Sequence, residues 1–460
     1  MKNLTVETIV KVCEGTLYGK ELVKDGAKEA AGVVLDSRLL QEGYVFIATR
    51  GEKVDGHKFI PSVFEKGAFA VICEEIPEKL TGPCIQVKDS FLALKKLAAF
   101  YRQQLKLKVI GITGSVGKTS TKEFVAGVLS AKYNVWKTQG NFNNEVGLPL
   151  TVLQLRDEHE IAVLEMGISD FGEMHRLSEI ARPDICMLTN IGQCHLEFLG
   201  DRDGVLKAKT EIFDFMNPNG TIFVNGDDDK LITLKEKWQE KLVTFGRNKN
   251  NDVFAAGEIS KGLLGSVVDI CGKLDISSVQ IPLPGEHMVL NALAASAVAD
   301  MLGLSQDEIK AGMKKVESVS GRSNIIKQQD LILIDDCYNA NPVSMKAAIE
   351  LLQSANERKV AILGDMFELG EGEKELHYEV GQYTIGKVDV LICVGNLAKY
   401  MYEGAMADKD EDASILYIKE KEEVYSQLKN IIMPQDTILL KASHGMGFAD
   451  IVSWFEKNYS

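Results

Sequence analysis

Short apolar runs rich in β-branched residues punctuate the chain, and most are followed by a stretch with helical spacing of apolar positions. "LKVIGIT" (107–113), "HEIAVLEMG" (159–167), "PDICMLTNIG" (183–192) and "GTIFVNGDD" (220–228) form one series. "LILIDDCYNANP" (331–342), "RKVAILGDM" (358–366), "VDVLICVG" (388–395) and "DTILLKAS" (436–443) form a second. Strands that are apolar throughout, alternating with helices, predict parallel sheets covered on both faces, an α/β fold. The first ~85 residues differ: "GVVLDSR", "GYVFIATRG" and "AFAVICEE" are short strands with fewer long helices between them. A helix over 90–105 leads out of this region. "PLPGEHMVLNALAASAVADMLG" reads as a loop opening onto a long helix. The pattern divides the chain into three domains, 1–85, 86–317 and 318–460: a small α/β domain, a central P-loop-type parallel sheet and a Rossmann-like domain.

Composition changes this picture little. The chain has 460 residues, and 45% apolar content supplies cores for three domains. A net charge of −14 without a long basic run argues against nonspecific nucleic-acid or membrane binding. A nest of backbone N–H groups can still hold phosphate inside an acidic protein. Eight cysteines, none in a C-x-x-C pair, sit mostly in apolar runs and suit a reducing cytoplasm. The opening "MKNLTVETIV" has polar residues where a secretion leader needs an apolar stretch, so no leader is expected. No apolar run reaches the ~18 residues of a membrane helix.

The chemistry starts at "GITGSVGKTSTKE" (111–123). The usual phosphate loop, G-x-x-x-x-G-K-[ST], would put a glycine where Ile112 stands. Ile112 belongs instead to the strand end, and the loop proper is Thr113-Gly114-Ser115-Val116-Gly117-Lys118-Thr119-Ser120. Placed between strand and helix, it offers free N–H groups and the positive end of a helix dipole. Lys118 is expected on the β- and γ-phosphates, with Thr119 or Ser120 on Mg²⁺. Glu165 ends a strand, where α/β sheets place ligands; the loop upstream favours a metal role over a solvated acid.

The loop resembles that of the Mur ligases and folylpolyglutamate synthetases, which use ATP to join an amine to a carboxylate. "NFNNEVGLPLTVL", "LEMGIS", "ARPDICMLTNIGQCHLEFLG", "AKTEIF", "GEHMVLNALAA", "DDCYNANPVSM", "LGDMFELG" and the N-terminal "LDSR…GYVFIATRGEKVDGHKFI" carry a Mur-ligase resemblance along nearly the whole chain. Within that family they are most similar to the ligase that adds D-alanyl-D-alanine to UDP-MurNAc-tripeptide through an acyl phosphate. The alternative is the preceding ligase, which adds the diamino acid to UDP-MurNAc-dipeptide. It is expected to carry a D-N-P-R-like stretch, where this chain has "DMFELGEGE".

The resemblance implies ATP, two Mg²⁺ ions and a monomer. It places His195 on the second Mg²⁺, with Lys209 carrying a CO₂-derived carbamate beside it; a lone histidine and a K-A-K lysine would otherwise read as structural. It puts Asn291 near adenine, Arg322 on the γ-phosphate, and Asp336 toward the ribose or Arg322. His287 matches less closely, because Met288 replaces an asparagine. Asn143, Asn144 and Glu145 are implied near the acceptor peptide and the reacting carboxylate. Asp36, Ser37 and Arg38, with Arg50, Gly51, Asp55, Gly56 and His57, are implied at the UDP-sugar. Tyr338, Asn339 and Asn341 suit a peptide substrate and also suit simple turns. Where the family reads V-K-G-S-R, this chain has "LKASH", so His444 stands in for an arginine expected on the incoming dipeptide.

Overall fold

The computed structural model describes residues 1–51, 54–408 and 412–459. Three sheets follow one another along the chain. The first has five strands in the order Thr16–Tyr18, Cys84–Gln86, Ala70–Cys73, Tyr44–Ile47, Gly32–Val34. All neighbours run parallel except the first pair.

The central sheet places the strand Lys108–Thr113 between Ile161–Glu165 and Ile185–Leu188, parallel to both. In this register Ile112 lies opposite both Glu165 and Met187. The carboxylate therefore sits beside the end of the strand that feeds the phosphate loop. Both neighbours of this strand are buried throughout, and apolar but for Glu165 at the strand end, as burial on two faces requires.

The sheet does not stay parallel. Beyond Leu242–Gly246 it continues through Val253–Ser260, Ser266–Gly272 and Ile276–Ile281, the last two joined antiparallel, to nine strands. This antiparallel arm extends the parallel core that the sequence pattern predicts. Ser266–Gly272 alternates buried and half-buried positions, the signature of a strand with one face toward solvent. The third sheet runs Asn324–Lys327, Ile332–Asp335, Thr437–Lys441, Lys359–Gly364, Val390–Val394, Ser414–Ile418, parallel except at its first edge.

The helix Ser90–Gln103 starts at Asp89, whose carboxylate accepts from Leu92 N at 2.9 Å. Its buried face, Leu94, Leu97, Ala98 and Tyr101, lies in one apolar cluster with residues of both the first and the central sheets. A fully buried leucine contributes roughly 1.5–3 kcal/mol, so this helix cements the two sheets. On the opposite face of the central sheet, Lys118–Leu129 packs under Glu286–Met301. All eight cysteines are free thiols; seven are buried and Cys271 is half-buried. Cys73 and Cys84 lie on the first sheet, Cys186 and Cys271 on the central one and Cys393 on the third. Among the described residues, no helix is long and apolar enough to cross a membrane.

Candidate active site

The phosphate loop is held from the strand next door. Asn190 accepts from Val116 N at 2.9 Å through its side chain and from Ser115 N at 3.0 Å through its carbonyl. Asn190 Nδ2 and Thr189 Oγ1 both donate to the Val116 carbonyl, at 3.1 and 2.6 Å. Gly114 (φ +151°) lies so close to the Thr189 hydroxyl that a Cβ would collide with it, and Gly117 opens the following helix at φ +84°. Thr113 is wholly buried, its hydroxyl without a partner. The Lys118 ammonium folds back onto the loop, donating to the Gly114 carbonyl at 2.8 Å. Burial lowers its pKa, and Glu165 opposes that shift.

A cavity of about 800 Å³ opens above the loop, between the central and C-terminal domains. Its walls include Ser115 to Ser120, Asn143, Asn144, Glu145, Glu165, His195, Arg322, Asp336, Tyr338, Asn339 and Asn341. Residues as far apart in the sequence as Ser115 and Lys441 thus face one space.

Glu165 is 1% exposed. Its Oε1 accepts from Asn143 Nδ2 at 2.7 Å, whereas Oε2 has no hydrogen-bond donor. The nearest cation to Oε2 is Lys122 Nζ at 4.0 Å, itself buried and donating to the Thr138 carbonyl at 2.7 Å. A buried carboxylate oxygen left without a donor fits a cation ligand. Lys209 is also 1% exposed and makes no side-chain hydrogen bond or ion pair among the described residues. Burial first, and the Lys118 charge after it, bring its pKa down to about 8. His195 lies close by: burial lowers its pKa, as do the charges of Lys209 and Lys118.

Asp336 does not meet Arg322; its carboxylate accepts from Lys441 Nζ at 2.6 Å and from Ser323 N at 2.9 Å. A buried ammonium on the neighbouring strand outcompetes a guanidinium that finds an aromatic face instead. Arg322 lies 3.8 Å from the Tyr338 ring centroid, and His444 lies on Tyr338 at 5.5 Å between centroids. Asp335 accepts from Gly321 N at 2.7 Å. Asn341 caps the helix Pro342–Gln353, accepting from Ser344 N at 2.9 Å, so the turn reading holds for its side chain. Asn339 accepts from Ala340 N at 2.9 Å.

Asn291 does not line the cavity. It is buried and accepts from Thr121 Oγ1 at 2.7 Å, so it braces the loop helix; His287 faces the cavity in its place. Lys209 lies behind the wall rather than in it. The N-terminal candidates form a separate group. Arg38 pairs with Asp36 at 2.6 Å, and that contact holds the Asp36 carboxyl at about 2. Lys66 donates to the Ser37 carbonyl at 3.1 Å. Arg50, next to Gly51, contacts Glu75. His57 is used up internally: Nδ1 meets Asp55 at 2.7 Å and Nε2 accepts from Glu74 N at 3.0 Å. Sequence reasoning missed Lys122, Lys441 and Glu368. Lys122 alone left a local signal, one helical turn beyond Lys118.

Three family models match in order along the chain: "Mur ligase family, catalytic domain" over 29–102, "Mur ligase middle domain" over 112–299 and "Mur ligase, glutamate ligase domain" over 321–444. A curated relative from Bacillus subtilis, UDP-N-acetylmuramoyl-tripeptide–D-alanyl-D-alanine ligase, is 37% identical over 97% of each chain. The chain belongs to the Mur ligase family. Among solved structures, MurF from Acinetobacter baumannii superposes on this Mur ligase with a TM-score of 0.88 at 31% identity, covering 99% of each chain. MurF ligase from Thermotoga maritima in complex with ADP gives 0.79 at 30% identity, covering 93% of this chain and 97% of that one.

Proposed function

We propose that this Mur ligase joins D-alanyl-D-alanine to UDP-MurNAc-tripeptide at the expense of ATP, giving UDP-MurNAc-pentapeptide, ADP and phosphate. The observation that carries the reading is the convergence of the loop lysine, the donor-less carboxylate oxygen of Glu165 and Arg322 on one inter-domain cavity. Full-length similarity to ligases named for that reaction supports the choice of substrates. The acidic "DMFELGEGE" stretch speaks against the ligase that adds the diamino acid.

A carboxylate does not yield its oxygen to an amine, because oxide cannot leave. The tripeptide carboxylate attacks the γ-phosphorus of ATP, and the bond to the β-phosphate oxygen breaks. The amine of D-alanyl-D-alanine then attacks the acyl carbon, passing through a tetrahedral adduct. The C–O bond breaks, phosphate departs and the amine loses a proton. Bringing two anions to ~4 Å costs about 4 kcal/mol at an effective dielectric near 20. Lys118 offsets this once it leaves the Gly114 carbonyl for the phosphates, and Arg322 leaves its aromatic platform to close the other side.

Thr119 and Glu165 would hold one Mg²⁺, and His195 with a carbamylated Lys209 a second. A buried, partner-free amine with a pKa near 8 is the form of lysine that takes up CO₂. Bound there, Mg²⁺ would neutralise charge on the transferring phosphoryl group. Asn143 fixes the rotamer of Glu165, and Asn144 shapes the adjoining turn by accepting from Gly147 N at 2.9 Å.

Residues 1–85 take the UDP-sugar, 86–317 the ATP and 318–460 the amino substrate, with Tyr338 and His444 on the dipeptide side. The enzyme is proposed to act as a monomer in the cytoplasm, a compartment that its unpaired thiols suit. An ADP-release assay tests the reading. Turnover is expected only with UDP-MurNAc-tripeptide and D-alanyl-D-alanine together. Turnover with UDP-MurNAc-dipeptide and a diamino acid would move the enzyme to the preceding step. Nucleotide hydrolysis indifferent to both substrates would make it a P-loop switch or motor.

A further inference from the structure

Glu368 belongs to the C-terminal domain, yet its Oε2 lies 2.7 Å from Nδ1 of His195 in the central domain, an ion-pair contact whose angle falls outside hydrogen-bond geometry, so that a small turn of the ring would bring the two into line. Both residues have left-handed backbones, φ +51° at His195 and +61° at Glu368, which side chains adopt at a cost. The segment bearing Glu368 is pinned from behind. Met366 N donates to His377 Nε2 and Phe367 N to Ser443 Oγ, each at 2.9 Å. Two strained residues and a doubly anchored loop are a costly way to make a surface ion pair, which by itself contributes ~1 kcal/mol or less.

The contact has a chemical consequence for the ring. A carboxylate only accepts, so a neutral His195 whose ring aligns on Glu368 carries its proton on Nδ1. The lone pair is then on Nε2, in a residue that lines the cavity. Carboxylates commonly orient a metal-binding histidine in this way; this one is delivered by the neighbouring domain.

We propose that Glu368 is a positioning residue: docking of the C-terminal domain over the ATP loop fixes the His195 ring with Nε2 toward the cavity, so cation binding at His195 and domain docking strengthen each other. By reciprocity, whatever the docked domain adds to cation affinity, the cation returns to docking. The inference rests on reading His195 as a cation ligand, as proposed above.

The test is Mn²⁺ binding to the full-length enzyme with ADP, followed by the electron paramagnetic resonance of free Mn²⁺, with thermal midpoints measured alongside. Two ions are expected for the unaltered chain and one for His195→Ala. Glu368→Gln is expected to keep both but to weaken the second about 10–100-fold. Glu368→Asp should recover part of that loss, and Glu368→Gln should add nothing to His195→Ala. Unchanged affinity for the second ion in Glu368→Gln overturns the proposal. So does equal weakening of both ions together with a lowered thermal midpoint, which would make the role structural. If His195→Ala still holds two ions, the cation reading of His195 fails and takes this proposal with it. Loss of an ion there, without a shift in Glu368→Gln, overturns this proposal alone.

Discussion

At Lys118 the ammonium donates to the Gly114 carbonyl, within reach of the loop N–H groups that are proposed to take the phosphates. Lys118→Ala is therefore expected to lower ADP release by at least two orders of magnitude, the usual loss when a donor to the transition state is removed. Lys209 makes the opposite kind of prediction. Its unpaired ammonium is buried, and its pKa stands near 8 against an ordinary lysine value of about 10.4. Between those values the unfolded chain binds the extra proton, so stability rises with pH there. In CO₂-free buffer, Lys209→Met should raise the melting temperature by a few degrees below pH 8, and the gain should shrink toward pH 10. The same substitution should abolish ligation. A carbon-13 carbamate resonance in ¹³CO₂-treated enzyme, absent from Lys209→Met, would check the modification directly.

Elements show where the sequence was legible. The loop, its strand and Glu165 could be read because their relation is set by short-range rules: a buried strand, a glycine turn and a helix start. The caps at Asn341 and Asp89 obey equally local rules, although only the structure showed them. The Asp336–Lys441 pair could not be read, since 105 residues separate its members and only the strand order of the third sheet makes them neighbours. The antiparallel arm from Val253 to Ile281 escaped because its strands are half exposed and lack the continuous apolar run of the parallel ones, and only Ser266–Gly272 alternates in burial. The loop itself yields a sharp test. Gly114→Ala would push a methyl group into Thr189, so nucleotide binding should be lost while circular dichroism stays unchanged.

On the scale of the whole molecule, three domains contribute unequally to rigidity. The first two share an apolar cluster through Ser90–Gln103, whereas the third faces the second across a cavity. Such junctions move. Small-angle scattering should show a smaller radius of gyration when an ATP analogue and UDP-MurNAc-tripeptide are present together; no change would remove domain closure from the mechanism. The scatter of hidden thiols turns this uneven rigidity into something that can be timed. A maleimide should tag Cys271 at once and wait for the rest. Cys337 and Cys393 would report the opening of one end of the molecule, and Cys13, Cys73 and Cys84 that of the other. Peptide mass maps taken over hours would then read out the sequence in which the enzyme comes apart, with no label added to it beforehand.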